Sequence, residues 1–432
     1  MSTDSTRICE LLVGLPDVNV LAVSDTPGAP LEVWIETRTE RPACPGCGGP
    51  AVVKDRPMVR LVDLPAFGRP TELCWRKYRW RCLNSDCETG SWTEHVPSIG
   101  WPRLAMTDRA GRWVTRQIGQ AGRAMSDVAN ELGCDWHTIN NTIHAFGTPL
   151  LDDPERIGEV TALGLDETLF FKQGRWKRQR WATSIVDVAR GVLLDMVEGR
   201  NATAPCEWLD QRERAWLDAI KYAALDLSGP YRLVFDTMIP DAVQVADPFH
   251  VVKLANQALD EVRRRVQNET LGHRGHKDDP LYRCRRLLTK AEERLDEKGH
   301  SKLMGLLEAG DPRGEVRTAW HAKELVRQLY IHTDHKVGLE WVTTLAADLL
   351  DQDYPPEVNR LGRTLHKWRH QIAAWHHERT TNASTEAANG LIKRIKRVGF
   401  GFTNFDNYRL RSVLYAGRPN WDLLDTITPQ PR

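Results

Sequence analysis

The feature that most constrains the fold is a series of short apolar segments between residues 158 and 247. TALGLD, WATSIVDVAR and GVLLDMVEG have the length and the Val, Ile and Leu content of β-strands. IKYAALD and AVQVAD are two further strand-like runs, and each follows a helix-like run. This order predicts an α/β sheet of five strands. Three of the segments end in an aspartate, namely Asp166, Asp226 and Asp247.

A carboxylate after a buried strand can simply end it as a turn or a helix cap, or it can bind a metal ion at the edge of the sheet. Adjacent strands would bring Asp166 and Asp226 together, and a helix within residues 379–401 could place Glu386 beside them. Neighbouring carboxylates repel, which raises their pKa values, and a divalent cation removes the repulsion. Mg²⁺ or Mn²⁺ suits such oxygen ligands, and two ions stabilise the attacking and leaving oxygens of an in-line displacement.

Two cysteine pairs predict a structural zinc site. CPGCGG and RCLNSDC give C-x2-C and C-x4-C spacings, separated by 34 residues, with the ligands Cys44, Cys47, Cys82 and Cys87. Each pair can form a tight turn that directs two thiolates at one Zn²⁺ ion. The β-rich segment around them has little core of its own, so the metal would stabilise its fold. Four ordinary buried cysteines are the alternative interpretation.

Residues 103–149 have the pattern of a helix-turn-helix. Ser126 is predicted to cap a short helix, Gly133 to allow the turn, and a second helix to follow. The second helix would expose side chains that can bind base edges, namely Asp135, His137, Thr138, Asn140 and Asn141. A plain helical hairpin is the alternative.

Composition and charge agree with an intracellular protein that binds nucleic acid. The net charge is only +1, but basic residues cluster at 172–180, 263–265 and 392–397. Solvated surface is the alternative for each cluster.

The sequence has no apolar run of membrane-spanning length and no signal peptide, so we expect no membrane association and a cytoplasmic location. Residues 248–370 are mostly helical in pattern.

Taken in their order along the chain, the motifs resemble those of the ISL-three family of DDE transposases from bacterial insertion sequences, over about residues 10 to 418. The most specific are VADPFHVVK and TEAANGLIKRIKRVGFGFTNFDNYRLR, and LGLDE and ALDLSGPY also match. The resemblance implies a ribonuclease H-like core with a helical insertion before the glutamate. It also implies DNA cleavage and strand transfer, by cut-and-paste or a related route, between the element's terminal inverted repeats and target DNA.

The resemblance also implies roles for individual residues. Asp166, Asp226 and Glu386 match the three catalytic acids, and Asp247 and His250 match a D-x-x-H motif. We prefer Asp226 to Asp247 as the second acid because a ribonuclease H-like core holds that acid after its fourth strand. The basic residues after the glutamate are interpreted as phosphate contacts beside the active site, namely Lys393, Arg394, Lys396 and Arg397.

The predicted organisation is multidomain. Its parts are a zinc-ribbon-like, β-rich module (1–98), the helix-turn-helix domain (103–149), the first part of the core (158–255), the helical insertion (256–370), the second part of the core with the glutamate (371–418) and a tail (419–432). Pairing of two element ends predicts a homodimer on DNA, associated with the nucleoid. The rival functions are a non-catalytic zinc and helix-turn-helix transcriptional regulator, and a nuclease that cleaves without joining.

Overall fold

The computed structural model describes residues 5–174, 178–331, 334–379 and 382–431. The chain divides into two compact units. One unit combines residues 1–158 with residues 390–432, and the other comprises residues 159–389. Within the described ranges, no helix is both long and apolar enough to cross a bilayer.

The first part of the unit that contains the N-terminus consists mainly of β-strands. Its elements are α1 (Ser5–Val13), β1 (Val18–Ser24), β2 (Leu31–Thr37), β3 (Ala51–Asp55), β4 (Met58–Ala66), β5 (Arg69–Arg76), β6 (Arg79–Cys82) and β7 (Ser91–Thr93). They form a four-stranded sheet in the order β1-β2-β5-β4 and a three-stranded sheet in the order β3-β6-β7. Side chains that alternate along β2 and β5, such as Ile35 and Leu73, pack with Trp75 in a buried core.

Three helices follow in the same unit. They are α2 (Asp108–Thr115), extended by a π-helical turn (Arg116–Gln120), α3 (Met125–Leu132) and α4 (Trp136–Leu151). Gly133 ends α3 with a left-handed backbone (φ 68°), as a sharp turn requires. Asp135 caps α4 by accepting a hydrogen bond from the Thr138 N–H (2.6 Å). The prediction that Ser126 caps α3 is wrong, because Ser126 lies inside the helix and Ala124 occupies the capping position.

The second unit begins with the predicted α/β sheet. Its elements are β8 (Ala162–Gln173), β9 (Arg178–Asp187), β10 (Val192–Glu198), α5 (Thr203–Asp210), α6 (Arg214–Asp218), β11 (Tyr222–Leu225), α7 (Gly229–Met238) and β12 (Val243–Ala246). The strand order is β10-β9-β8-β11-β12. β9 is antiparallel to β8 and β10, whereas β11 is parallel to β8 and β12.

Strand β8 is longer than its sequence pattern suggests. It continues through Asp166 to Gln173, paired with β9 along this extension. On its other side, β11 ends at Leu225, and among the described residues β8 is paired there only as far as Gly164. Asp166 therefore lies inside a strand, at the point where the adjacent strand stops.

The rest of the second unit is helical, as its sequence pattern predicts. The helices are α8 (Pro248–Leu271), α9 (Pro280–Leu288), α10 (Glu297–Gly310), α11 (Glu315–Gln328), α12 (His335–Asp348) and α13 (Pro356–Glu378). Two helices follow them in the chain, α14 (Ala383–Val398) and α15 (Phe405–Ala416). Glu386 lies in the first turn of α14.

Candidate active site

Two aspartates meet where β8 passes the end of β11. Ala162 pairs with Tyr222 and Gly164 with Ala224, and the same register two residues further places Asp226 beside Asp166. Burial, and next the negative charge of Asp166, raise the pKa of Asp226 to about 6. In the part of the chain that the structure describes, the buried Oδ1 atom of Asp226 has no hydrogen-bond partner.

The carboxylate of Asp166 is held by the protein. Its Oδ1 accepts a hydrogen bond from the Glu167 N–H (2.7 Å), and its Oδ2 accepts one from the side-chain amide of Asn389. The Asn389 carbonyl oxygen in turn accepts hydrogen bonds from the hydroxyls of Thr168 and Ser184, each at 3.1 Å. Asn389 is buried, and its amide side chain connects α14 to β8 and β9.

Glu386 lies three residues before Asn389 on α14, which places the two on the same face of the helix. Its side chain is 42% exposed, and its Oε1 lies 3.9 Å from the Nε2 of His250. The Nδ1 of His250 is buried and has no hydrogen-bond partner among the described residues. His250 therefore lies close to Glu386, and a positive charge on its ring would lower the pKa of Asp226.

Asp247 has a different environment from the other acids. Its Oδ1 accepts from the Phe249 N–H (2.7 Å) and caps α8, and its Oδ2 accepts from the Asn382 N–H (2.6 Å). The side chain is buried, and both oxygens are used by backbone donors. This arrangement fixes the chain before α14 to the start of α8, which makes Asp247 a structural capping residue.

The acidic site and the cysteine site differ in how closely their ligand atoms converge. Within the described ranges, the four cysteines are the one group of three or more His, Cys, Asp or Glu ligand atoms that all lie within 4.8 Å of one another. Asp166, Asp226 and Glu386 do not form such a group. The acidic site nevertheless fits a divalent cation, because Asp226 has an unpartnered buried oxygen next to a second carboxylate.

The four predicted zinc ligands form a compact site. The Sγ atoms of Cys44 and Cys87 are 3.6 Å apart, and those of Cys47 and Cys82 are 3.5 Å apart. These separations fit a tetrahedron of thiolates around zinc at about 2.3 Å. The Asn84 N–H donates to the Cys82 sulfur (3.4 Å). These cysteines therefore support a structural zinc ion, in agreement with their spacing.

The tight turn in the first cysteine pair depends on a glycine. A Cβ atom at Gly46 would lie 2.1 Å from the Thr89 hydroxyl oxygen, so no larger residue fits without displacing Thr89. Thr89 lies just after the second cysteine pair, so the two turns approach each other closely at this point.

The predicted base-reading face of α4 is only partly exposed. His137 and Asn141 are exposed and Thr138 is half-buried. The prediction that Asn140 lies on the exposed face is wrong, because it is 9% exposed on the side of α4 that carries Ile139. Asp135 is exposed, but its carboxylate caps the helix. His137 and Asn141 are the members of the predicted set that remain available to a ligand.

The basic clusters also differ from one another. Lys393, Arg394 and Arg397 on α14 are exposed, whereas Lys396 is half-buried and burial lowers its pKa. Arg263, Arg264 and Arg265 form ion pairs with carboxylates on their own and neighbouring helices. Their charge is therefore compensated within the protein, unlike a typical phosphate-binding cluster. Part of the first cluster, residues 175–177, lies outside the described residues.

Comparisons with known proteins agree with this picture. A family model described as "Transposase" matches residues 163–412. A second, described as "zinc-finger of transposase IS204/IS1001/IS1096/IS1165", matches residues 40–87. The chain is 24% identical to the transposase for insertion sequence element IS1001 of Bordetella parapertussis, over 90% of this chain and 92% of that protein. It is 25% identical to the transposase for IS1557 of Mycobacterium tuberculosis, over 76% and 78%.

Proposed function

Because this chain belongs to the ISL-three family of DDE transposases, we propose that Asp166, Asp226 and Glu386 are the acids with which it cleaves and joins DNA. Its DNA substrates are the terminal inverted repeats of an insertion sequence and a target site. The observation that carries the assignment is the pair of neighbouring aspartates, one of which has a buried, unpartnered oxygen and a raised pKa. Such a carboxylate gains most from a bound cation.

The acids would hold Mg²⁺ or Mn²⁺. Divalent ions of this kind stabilise the attacking and leaving oxygens when a phosphodiester is displaced in line. The protein's own contribution is to position the carboxylates before the DNA binds. Asn389 orients the Asp166 carboxylate, and Asp247 anchors the segment that leads into α14 and therefore positions Glu386. His250, whose Nε2 lies 3.9 Å from the Glu386 carboxylate, contacts this acid from the start of α8.

The remaining modules suit the recognition of DNA ends. The order of the five-stranded sheet, three antiparallel strands followed by two parallel ones, supports a ribonuclease H-like core. The helices α3 and α4, joined at Gly133, support a helix-turn-helix that reads base edges through His137 and Asn141. The exposed basic residues of α14 would contact phosphates. The transposase would work in the bacterial cytoplasm, on nucleoid DNA, as a homodimer that pairs two ends.

The test is a set of charge-removing variants assayed on DNA that carries the element's own ends, obtained from the sequence that flanks the gene. Asp166→Asn, Asp226→Asn and Glu386→Gln should lower strand cleavage by several orders of magnitude, because metal stabilisation of the displaced oxygen contributes several kcal/mol and each ~1.4 kcal/mol is tenfold. DNA binding should persist. Normal cleavage by all three variants would overturn the catalytic assignment.

Two further results would revise the proposed residues or the proposed reaction without changing the family to which the chain belongs. If Asp247→Asn abolishes cleavage in a folded protein while Asp226→Asn cleaves normally, Asp247 is the second acid. If the wild type cleaves element ends but does not join pre-cleaved ends to target DNA, the chain acts as a nuclease. The regulator hypothesis has no support from the relatives above, which are all described as transposases.

A further inference from the structure

The turn after α14 exposes an aromatic side chain on a backbone conformation that disfavours it. The Gly401 N–H donates to the Lys396 carbonyl (2.9 Å), and the Phe400 N–H donates to the Arg397 carbonyl (3.1 Å). These two bonds define a Schellman ending, in which glycine usually occupies the left-handed position. Here Phe400 occupies it (φ 52°) and is 94% exposed. The side chain adds strain and gains no packing within the protein, which points to a role outside the fold.

Phe400 borders a cavity in the same unit, which we call the Phe400 groove. The residues that line the groove include Met125, Ser126, Trp136, Phe400, Asn404 and Arg411. Trp136, the first residue of α4, is 42% exposed and provides a second aromatic surface. The cavity volume is about 150 Å³. A cavity of this size accommodates an aromatic ring such as benzene.

A buried positive charge without a counter-charge also lines the groove. Arg411 is 3% exposed and forms no ion pair among the residues that the structure describes. One guanidinium nitrogen donates to the Arg123 carbonyl (3.1 Å), but Nε has no partner within the described ranges. Burial lowers the pKa of Arg411 to about 10. A buried cation in this state is stabilised by any ligand that brings hydrogen-bond acceptors into the groove.

The surroundings of the groove favour a nucleic acid as its occupant. Lys393, Arg394 and Arg397 are exposed on the last turns of α14, directly before Phe400. These charges suit a phosphate backbone, and exposed aromatic rings stack on bases whatever the base sequence. Arg guanidinium groups donate to the ring nitrogens and carbonyl oxygens of bases.

We propose that the Phe400 groove holds one unstacked nucleobase of DNA, stacked against Phe400 and Trp136 and hydrogen-bonded by Arg411. The inference rests on the proposed function in DNA transfer and extends it to the recognition of unpaired DNA. Stacking on an aromatic side chain is worth about 1–3 kcal/mol per base, which corresponds to an affinity gain of about 5- to 150-fold.

The experiment compares the binding of the full-length protein to two duplexes of the same arbitrary sequence, one blunt and one with a short single-stranded end. The wild type should bind the second duplex about 5- to 150-fold more tightly. Phe400→Gly should remove this preference and leave blunt-duplex binding unchanged, while raising the melting temperature because glycine relieves the left-handed backbone. Phe400→Trp should keep the preference.

Phe67 provides a matched control in the same unit. It is 90% exposed, with a φ of 52° in the turn between β4 and β5, but it does not line the Phe400 groove. Phe67→Gly should therefore raise the melting temperature without changing the preference for a single-stranded end.

Three results would overturn the inference. The first is equal affinity of the wild type for both duplexes. The second is a Phe400→Gly variant that still prefers the duplex with the single-stranded end as strongly as the wild type does. The third is a Phe400→Gly variant whose affinity falls equally for both duplexes. A change in self-association of Phe400→Gly with normal DNA binding would assign the surface to a second protein copy instead. Failure of the wild type to bind either duplex would contradict the proposed function itself, so the two failures can be distinguished.

Discussion

Removing the charge of Asp226 should stabilise the protein while it abolishes cleavage. The pKa of this carboxyl is about 6 in the folded protein, compared with an ordinary value of 3.8. At about 1.4 kcal/mol per pH unit, the ionised carboxylate destabilises the fold by about 3 kcal/mol. Because the pKa is raised on folding, the folded state binds the proton more tightly. Stability therefore falls as the pH rises from 3.8 through 6, and the full loss is reached above about pH 7.

Thermal unfolding of Asp226→Asn and the wild type, at pH 5 and pH 8 without added Mg²⁺, measures this effect. A chain unit of 150–250 residues changes its melting temperature by about 2–4 °C per kcal/mol, so the variant should melt about 6–12 °C higher at pH 8. At pH 5 the difference should be about half as large. Added Mg²⁺ should raise the melting temperature of the wild type more than that of the variant, because a bound cation removes the same penalty.

Asp241→Asn is the matched control, because Asp241 is an exposed aspartate in the same unit. It should change neither the melting temperature nor its response to Mg²⁺. A variant Asp226→Asn that is no more stable than the wild type at pH 8, or that is equally stabilised at pH 5 and pH 8, would refute the reasoning.

Three other predictions concern the remaining sites. Elemental analysis should find one zinc ion per chain, and Cys47→Ser should lose it together with the folded zinc module. Asn141→Ala should weaken binding to the terminal repeat more than binding to random DNA. Lys393→Ala should weaken binding to both DNAs and reduce the slope of log affinity against log salt concentration by up to about one unit. Competition binding at several salt concentrations measures both effects. Asp247→Ala should lower the free energy of unfolding by about 1–2 kcal/mol or more, because the α8 cap is lost, and urea denaturation measures this.

The zinc ligands were predictable because their signal is local. Two ligands separated by two or four residues can only meet in a tight turn, so the spacing of Cys44 and Cys47 carries most of the geometry. The succession of strands and helices along the second unit was predictable for the same reason, because the length and apolar content of each run indicate a buried strand. The order of the strands in the sheet was not predicted and comes from the structure. Asp166 and Glu386 were also identified as candidate catalytic acids from the sequence, through the motifs that contain them.

The roles of individual polar side chains depended on residues far away in the chain. Asp226 and Asp247 follow similar strands, and only the folded structure shows that the Asp247 oxygens accept backbone N–H groups while an oxygen of Asp226 has no partner. Asn140 has a typical base-reading side chain but faces inward.

The sequence by itself determined the kinds of element, the zinc ligands and the order of the acidic residues, because these depend on neighbours a few positions apart. The tertiary structure alone decided which polar atoms are buried, paired or left without a partner. Asn389 illustrates the reason, since its amide joins Asp166 and Ser184, more than two hundred residues away in the chain. Contacts between residues this far apart determine which polar side chains are buried and hydrogen-bonded, so a local sequence pattern cannot predict them.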